Sequence, residues 1–303
     1  MSTIPRTGSG MGLTIEGFDV LGAPADRLRE LKEQVYRHKI VVLRDQRLTP
    51  AGFVALGRRL GEVETYYQPM YHHPEHPEIF VSSHRGARRE GDGAQLGVPR
   101  TGTFWHHDYA FMPRPFGLTL VWPQVVPERD RGTYFIDMGA AYRKLPDALK
   151  AEIAGTFGLN SVRRYFKIRP SDVYRPVCEV LAEIEEVTPA CAHPTVFAHP
   201  VTGERVLYVS EAVTCGLQDA GGNPLRDGLL RELLDACGQS DGTFTHENIH
   251  LQTFDRGDLL IWDNRSLVHR ARHTATPEPA VSFRVTVHDE YEFYPGIGRP
   301  AGR

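Results

Sequence analysis

The chain has 303 residues, of which 41% are hydrophobic and 24% are charged. This length and composition can bury one sizeable core, so we expect a single domain over residues 1–303. The formal net charge of −3 at pH 7 gives no reason to expect nucleic acid or an anionic membrane as a partner, and a small-molecule substrate is favoured.

Cysteine spacing and apolar runs indicate the compartment. The four cysteines show no CxxC spacing, and residues 1–8 contain no apolar signal region. No apolar run approaches the roughly 20 residues that span a bilayer. We therefore expect a reduced, cytoplasmic protein without a membrane segment. The sequence leaves open whether it forms a homo-oligomer.

The first elements are short strands that alternate with amphipathic helices. Residues 13–20 predict a short strand, residues 24–38 a helix with apolar residues at helical spacing, and residues 40–43 a buried strand. Thr49 and Pro50 predict the cap and first position of a helix that ends at Gly61.

Three tyrosines, Tyr66, Tyr67 and Tyr71, precede a loop rich in histidine and proline. Tyrosines in such a cluster more often pack with a satisfied hydroxyl, and substrate binding is the alternative. Residues 85–98 are polar and glycine-rich, which predicts either a mobile lid or a solvated loop without function.

Residues 103–108 predict the strand that matters most. Alternation puts His106 and Asp108 on one face of this strand and His107 on the other, so the first two can hold one metal ion from the same side. His269 supplies a third ligand, because it follows the apolar strand 259–263 and a polar turn. Two histidines and one carboxylate form the facial triad of non-haem Fe(II) oxygenases. A His-x-Asp pair alone is weak evidence.

Residues 118–121 and 132–137 predict core strands, and residues 142–153 predict a helix that ends near Gly155. Residues 161–169 contain four arginines or lysines. If they form a strand, Arg163, Lys167 and Arg169 share one face, where such a row of cations is costly unless it meets anions. Charge statistics alone favour a solvated strand face.

The last third predicts a hairpin over residues 199–210, a helix over residues 224–236, strands over residues 251–254, 259–263 and 281–287, and a loose tail from residue 295. Arg284, fifteen residues after His269, alternates with apolar neighbours, and a charge inside a strand needs a partner. A bidentate guanidinium suits a carboxylate such as the distal one of 2-oxoglutarate, and Thr133 is available as a hydroxyl donor.

Several of these residues form an ordered set of motifs, which are residues 105–108, Gly132-Thr133, residues 199–203, residues 262–265, His269 and Arg284. The set resembles the taurine dioxygenase family of Fe(II)/2-oxoglutarate oxygenases over about residues 17–287. The resemblance implies Fe(II) on His106, Asp108 and His269, with 2-oxoglutarate and O2 as cosubstrates. It also implies that Arg284 binds the cosubstrate carboxylate with help from Thr133.

The fold class follows from many short strands with turn signals and from helices bunched near the start and in insertions. These features predict a mainly β protein with flanking helices, a double-stranded β-helix of the jelly-roll, cupin-like type. The metal ligands are then expected at the open end of the jelly roll, where strand ends from distant parts of the sequence meet.

Further residues resemble a narrower group, the isonitrile-forming enzymes of isonitrile lipopeptide biosynthesis. They are Arg131, Lys167, Arg169, the tyrosines Tyr66, Tyr67 and Tyr71, and His273. The resemblance implies oxidative decarboxylation of an N-carboxymethyl-3-amino (fatty) acid to a 3-isocyano acid. It places the tyrosines, Lys167, Arg169 and His273 on a substrate with two carboxylates, whereas Arg131 serves either cosubstrate or substrate.

Two other functions are weighed against this one. Hydroxylation of another small anionic substrate, such as taurine or another sulfonate, would use the same iron ligands and some of the cations. A non-catalytic jelly-roll binding protein is the third reading. The intact triad and the buried Arg284 argue against it, since lost function removes the reason to keep them.

Overall fold

The structure is a computed structural model that describes residues 11–84, 101–129, 131–164, 166, 170–272 and 278–297. The expected lid over residues 85–98 lies outside the described residues. None of the described helices is long and apolar enough to cross a membrane.

Short strands dominate the described part of the chain. They are β1 Leu13–Ile15, β2 Ile40–Leu43, β3 Glu62–Glu64, β4 Phe80–His84, β5 Leu118–Val125, β6 Thr133–Asp137, β7 Phe157–Asn160, β8 Cys191–Pro194, β9 Val196–Ala198, β10 Arg205–Leu207, β11 Thr214–Gln218, β12 Ile249–Gln252, β13 Leu259–Asp263, β14 Leu267–Ala271 and β15 Ala280–His288. The helices are α1 Ala25–His38, α2 Pro50–Leu60, α3 Met138–Lys144, α4 Asp147–Glu152, α5 Val177–Val187 and α6 Leu229–Cys237. Three 3-10 turns cover Pro69–Tyr71, Val162–Arg164 and Pro170–Asp172.

Two sheets face each other across an apolar core. The larger has the order β1-β2-β13-β5-β15-β3, with β4 also paired to β15, and the smaller has the order β12-β6-β14. Ile40, Leu260 and Trp262 from the large sheet pack in one buried cluster with Phe135 and Leu267 from the small sheet. This arrangement places β6, β14 and β15, which carry predicted site residues, at one shared interior.

Helices α1 and α2 cover the outer face of the large sheet. Leu28, Leu31 and Val35 of α1 are buried in one cluster with strand residues such as Val285. Helix α2 begins as the sequence predicts, because the Thr49 side chain accepts a hydrogen bond from Gly52 N at 3.1 Å and Pro50 takes the first helical position. The helical spacing and the cap signal were therefore sufficient for these two helices.

Several predicted elements are wrong in part, and the helix predicted over residues 224–236 begins only at Leu229. Residues 103–108 are not a strand, since within them only His106 makes a β-bridge, with His269. The strand predicted over residues 13–20 is limited to Leu13–Ile15. The helix predicted over residues 142–153 is two helices, because Leu145 takes an extended conformation (ψ 145°) before Pro146. The strand predicted over residues 161–169 begins with the 3-10 turn Val162–Arg164.

Candidate metal centre

Three side chains converge at the inner end of the small sheet. One ligand atom from each of His106, Asp108 and His269 can be chosen so that all lie within 4.8 Å of one another, and all three residues are buried or nearly so. His269 lies in the middle of β14. The backbone of His106 bonds to it in both directions, with N···O distances of 3.1 and 2.9 Å. A single two-residue bridge, and not the predicted strand, therefore brings the two histidines together.

Asp108 is held from its backbone and from its carboxylate. The buried side chain of Asn264 accepts a hydrogen bond from Asp108 N at 2.8 Å and donates one to Asp108 O at 2.9 Å. Thr119 Oγ1 donates to Asp108 Oδ2 at 2.8 Å. Partners of this kind fix the orientation of a metal ligand. Oδ1 faces the two imidazoles and also accepts a hydrogen bond from Arg284 Nη1 at 2.5 Å.

The charge state of the three ligands follows from burial and from one cation. Burial alone raises the pKa of Asp108, but the Arg284 guanidinium, 2.5 Å from Oδ1, and the two histidines outweigh it and hold the pKa at about 2. Burial lowers the pKa of both His106 and His269. The site therefore offers an ionised carboxylate and two neutral imidazoles, the forms in which these groups bind metals.

The tautomer of His106 suits metal binding at Nε2. Its Nδ1 lies 2.8 Å from the carbonyl oxygen of Phe104, and since a carbonyl only accepts, Nδ1 must carry the proton. Nε2, which is 3.8 Å from Asp108 Oδ1, then carries the lone pair that can bind a metal. Two nitrogen donors and one carboxylate on one side of a buried centre fit Fe(II).

His107 does not join this group. Its ring packs against Tyr208 with centroids 4.2 Å apart, and neither ring nitrogen has a hydrogen-bond partner among the described residues. Burial lowers its pKa to about 3, so the ring is neutral. His107 is therefore a buried packing residue, and it also contributes to the lining of the cavity beside the ligands.

A cavity of about 160 Å³ opens beside the three ligands. Arg284 and Thr133 both line it, as does Phe80, whose ring centroid lies 4.1 Å from the guanidinium carbon of Arg284. Arg284 Nε is buried without a hydrogen-bond partner in the described structure. A buried donor without a partner is costly, so this side chain is suited to receive an acceptor such as a carboxylate.

The other predicted site residues divide into three groups. Tyr66 and Tyr71 line the metal cavity, whereas Tyr67 lines a neighbouring groove. Arg131 does not line the cavity, because its guanidinium is turned to Asp255 at 2.6 Å near the surface. Lys167, Arg169 and His273 lie outside the described residues. Arg163, expected on the same strand face, is exposed and paired with Glu185 at 2.7 Å.

Sequence reasoning missed Asn264 and Thr119 as supports of Asp108. Asn264 belongs to the motif of residues 262–265, which served only to establish a resemblance. It is 156 positions away from Asp108, so periodicity could not connect them. The available signal was an asparagine at a tight turn after a fully apolar strand, where a buried amide must find partners.

Comparisons with known proteins give a family match over most of the chain. Residues 5–286 match the family model described as "Taurine catabolism dioxygenase TauD, TfdA family". The chain is 29% identical over 280 residues to pentalenolactone F synthase of Streptomyces arenae, covering 89% of each. It is 26% identical over 271 residues to the alpha-ketoglutarate-dependent 2,4-dichlorophenoxyacetate dioxygenase of Cupriavidus pinatubonensis, covering 85% of this chain and 88% of that protein.

A solved structure has the same fold. A taurine dioxygenase from Burkholderia xenovorans superposes with a TM-score of 0.71 at 22% identity, covering 97% of this chain and 93% of that one. The predicted mainly β jelly-roll fold is thereby confirmed.

Proposed function

Because the chain belongs to the taurine catabolism dioxygenase TauD, TfdA family, we propose that it converts an N-carboxymethyl-3-amino acid into a 3-isocyano acid. Its class is that of an Fe(II)/2-oxoglutarate-dependent dioxygenase, with O2 as the second cosubstrate. The isonitrile-forming reaction is the finer step that we propose within this class.

Bound Fe(II), together with 2-oxoglutarate and O2, supplies the oxidising chemistry that the side chains themselves lack. His106, Asp108 and His269 would hold the metal from one side and leave the cavity side open. Arg284 and Thr133, which line that side, would hold the distal carboxylate of 2-oxoglutarate. The protein contributes the placement of each reactant and the exclusion of bulk water.

The stoichiometry of the proposed reaction is fixed by its electrons. Conversion of R–NH–CH2–COOH into R–N≡C releases CO2 and removes four hydrogen atoms, which is a four-electron oxidation. Each 2-oxoglutarate and O2 that end as succinate, CO2 and water accept two of these electrons. Two equivalents of 2-oxoglutarate are therefore required for each isonitrile.

The observation that carries the proposal is the pair of tyrosines inside the metal cavity. Tyr66 and Tyr71 both line it, with ring centroids 5.0 Å apart. Burial raises the pKa of Tyr66 well above its usual value, so its hydroxyl stays protonated and can donate to a carboxylate. Tyr66 also packs on Phe80 and Tyr109 at 5.0 and 5.4 Å, so the packing role expected from the sequence accompanies the polar one.

Cations for the substrate must come from elsewhere. Among the described residues that line the cavity, Arg284 is the one arginine or lysine, and it is assigned to 2-oxoglutarate. A substrate with two carboxylates therefore requires the residues that the sequence predicts for it, Lys167, Arg169 and His273.

The test is a reaction with N-carboxymethyl-3-aminobutanoate, Fe(II), 2-oxoglutarate and O2, analysed by mass spectrometry for the isonitrile and for succinate. We expect the isonitrile, with succinate at twice its amount. Turnover of a sulfonate to a hydroxylated product, with no isonitrile from the amine, would replace the proposal with the sulfonate alternative.

A further inference from the structure

A second, mostly apolar groove of about 450 Å³ lies beside the metal cavity. One wall is the 3-10 turn Pro69–Tyr71 with the residues before it, and the other is the end of α5, including Ile184 and Val187. We infer that this groove binds the aliphatic chain of the substrate, an inference that rests on the proposed function and specifies it as one for long-chain acids.

Tyr67 connects the groove to the metal cavity. It lines the groove, and its ring centroid lies 4.8 Å from that of Tyr66 and 6.2 Å from that of Phe111, both of which line the metal cavity. Tyr67 is therefore part of the wall between the two spaces. A substrate that crosses this wall can keep its polar end near the metal while its chain lies in the groove.

The charges of the two spaces give the substrate its direction. The carboxylate-binding guanidinium of Arg284 lies in the metal cavity. The groove has two acidic residues in its described lining, Asp172 and Glu183, and both are paired with Arg175. Arg175 Nη1 lies 3.2 Å from Asp172 Oδ1 and 2.7 Å from Glu183 Oε2. No arginine or lysine is among the described lining residues of the groove. The mostly apolar lining that the structure describes therefore suits an uncharged chain.

Size and exposure point to the same occupant. Drug-sized ligands occupy sites of roughly 300–1,000 Å³, whereas the metal cavity measures about 160 Å³ and must also hold 2-oxoglutarate. A long chain has to leave that cavity. In the groove, Met70 is 43% and Val187 68% exposed, so a bound chain would remove apolar surface of the protein from water as well as its own.

The experiment compares N-carboxymethyl-3-amino acids of increasing chain length, from butanoate to dodecanoate. Under anaerobic conditions with Fe(II) and 2-oxoglutarate, calorimetry should show the dissociation constant falling by about fourfold for each methylene that enters the groove. With O2 added, kcat/KM for the dodecanoate relative to the butanoate should rise in parallel.

Two variants test the groove itself. Val187→Glu places a carboxylate among the lining residues, and Ile184→Trp fills the groove. Each should lower the dodecanoate-to-butanoate ratio at least tenfold. Val201→Glu is the control, because Val201 is also an exposed valine but lies in the turn between β9 and β10 and does not line the groove. This variant should leave the dodecanoate-to-butanoate ratio as in wild type. The exposure of Val187 makes its substitution compatible with folding even if Ile184→Trp does not fold.

The outcomes separate this inference from the proposed function. Affinity that rises with chain length and is lost in Val187→Glu, without isonitrile from any substrate, supports the groove and rejects the reaction. Isonitrile formation with no dependence on chain length overturns the groove and leaves the reaction standing. Sedimentation could instead show that the wild type is a dimer and that Val187→Glu dissociates it, while affinity does not depend on chain length. This result overturns the inference, because a second copy of the chain then covers the groove.

Discussion

Replacement of Asn264 by alanine should loosen the metal ligand Asp108 without touching the metal itself. The substitution removes three hydrogen bonds, two with the backbone of Asp108 at 2.8 and 2.9 Å and one to Phe116 O at 3.0 Å. Asn264 is fully buried, so water cannot replace them. An unsatisfied buried group costs about 1–3 kcal/mol, so with partial relaxation we expect a loss of about 3 kcal/mol in the free energy of unfolding.

The effect on the metal is separate from the effect on stability. Loss of a partner that orients a ligand typically lowers metal affinity by about 10–100-fold. We expect this loss of affinity in Asn264→Ala, measured by titration of the protein with Co(II) as a spectroscopic substitute for Fe(II). Circular dichroism of the same samples checks that the variant is folded. Asn223→Ala, at an exposed asparagine in a surface turn, is the control for a generic loss of asparagine hydrogen bonds.

One pair of results would refute this reasoning. If Asn264→Ala is destabilised but binds Co(II) as tightly as wild type, then Asp108 keeps its position without the amide. Thr119→Val then becomes the stronger candidate for positioning Asp108, because it removes the 2.8 Å hydrogen bond to Oδ2 and leaves the backbone contacts intact.

Three further predictions concern single side chains. Arg284→Ala should raise the KM for 2-oxoglutarate by on the order of 100-fold, since losing a buried charge-assisted pair costs about 2–5 kcal/mol, and it should also weaken metal binding because it removes the hydrogen bond to Asp108 Oδ1. Arg131→Ala should change the KM less than about threefold, and the reverse order in steady-state assays would move the cosubstrate to Arg131. His107→Ala should lower the free energy of unfolding by about 2–4 kcal/mol, because it leaves a cavity beside Tyr208, yet the variant should retain its metal. His269→Ala should lose the metal. Metal loss in both variants, measured by atomic absorption, would contradict the assignment of His269 and not His107 as a metal ligand. Lys167→Ala should still form succinate while isonitrile disappears in coupled mass spectrometry, and undiminished isonitrile would return Lys167 to a solvated surface role.

The sequence was sufficient to find three candidate metal ligands that converge, but not the backbone that presents them. Residue types and order pointed to His106, Asp108 and His269, and these do converge. The predicted strand over residues 103–108 assumed that alternation was needed to put two ligands on one side. Instead, Tyr109 follows the ligands with a φ of 60°, and the segment is fixed by one bridge and the Asn264 side chain. Contacts between residues far apart in sequence carry no local signal.

Helices were predicted well where caps and apolar spacing agreed, as in α2, and poorly where a proline was overlooked. Pro146 disfavours a helical conformation at Leu145, so the chain ends α3 there and begins α4 just after it. Asp137 makes the first helix begin earlier in the chain than predicted, because its Oδ1 accepts hydrogen bonds from Gly139 N and Ala140 N at 2.9 and 3.0 Å. The proline and the capping aspartate were both visible in the sequence. The 3-10 turn at residues 162–164 had no such local signal that outweighed the charge pattern, which favoured a strand.

The third metal ligand links the core to the site. His269 Nδ1 has no hydrogen-bond partner among the described residues, and the polar contact of the ring is that of Nε2 with Asp108 Oδ1 at 3.9 Å. Its ring centroid lies 4.1 Å from that of His106, 4.9 Å from that of Trp262 and 6.0 Å from that of Phe135, and the last two rings belong to the cluster between the two sheets. Interiors transmit small changes in volume to their neighbours. The packing that joins the two sheets is therefore also the packing that aims His269, and metal affinity depends on the same apolar contacts as stability.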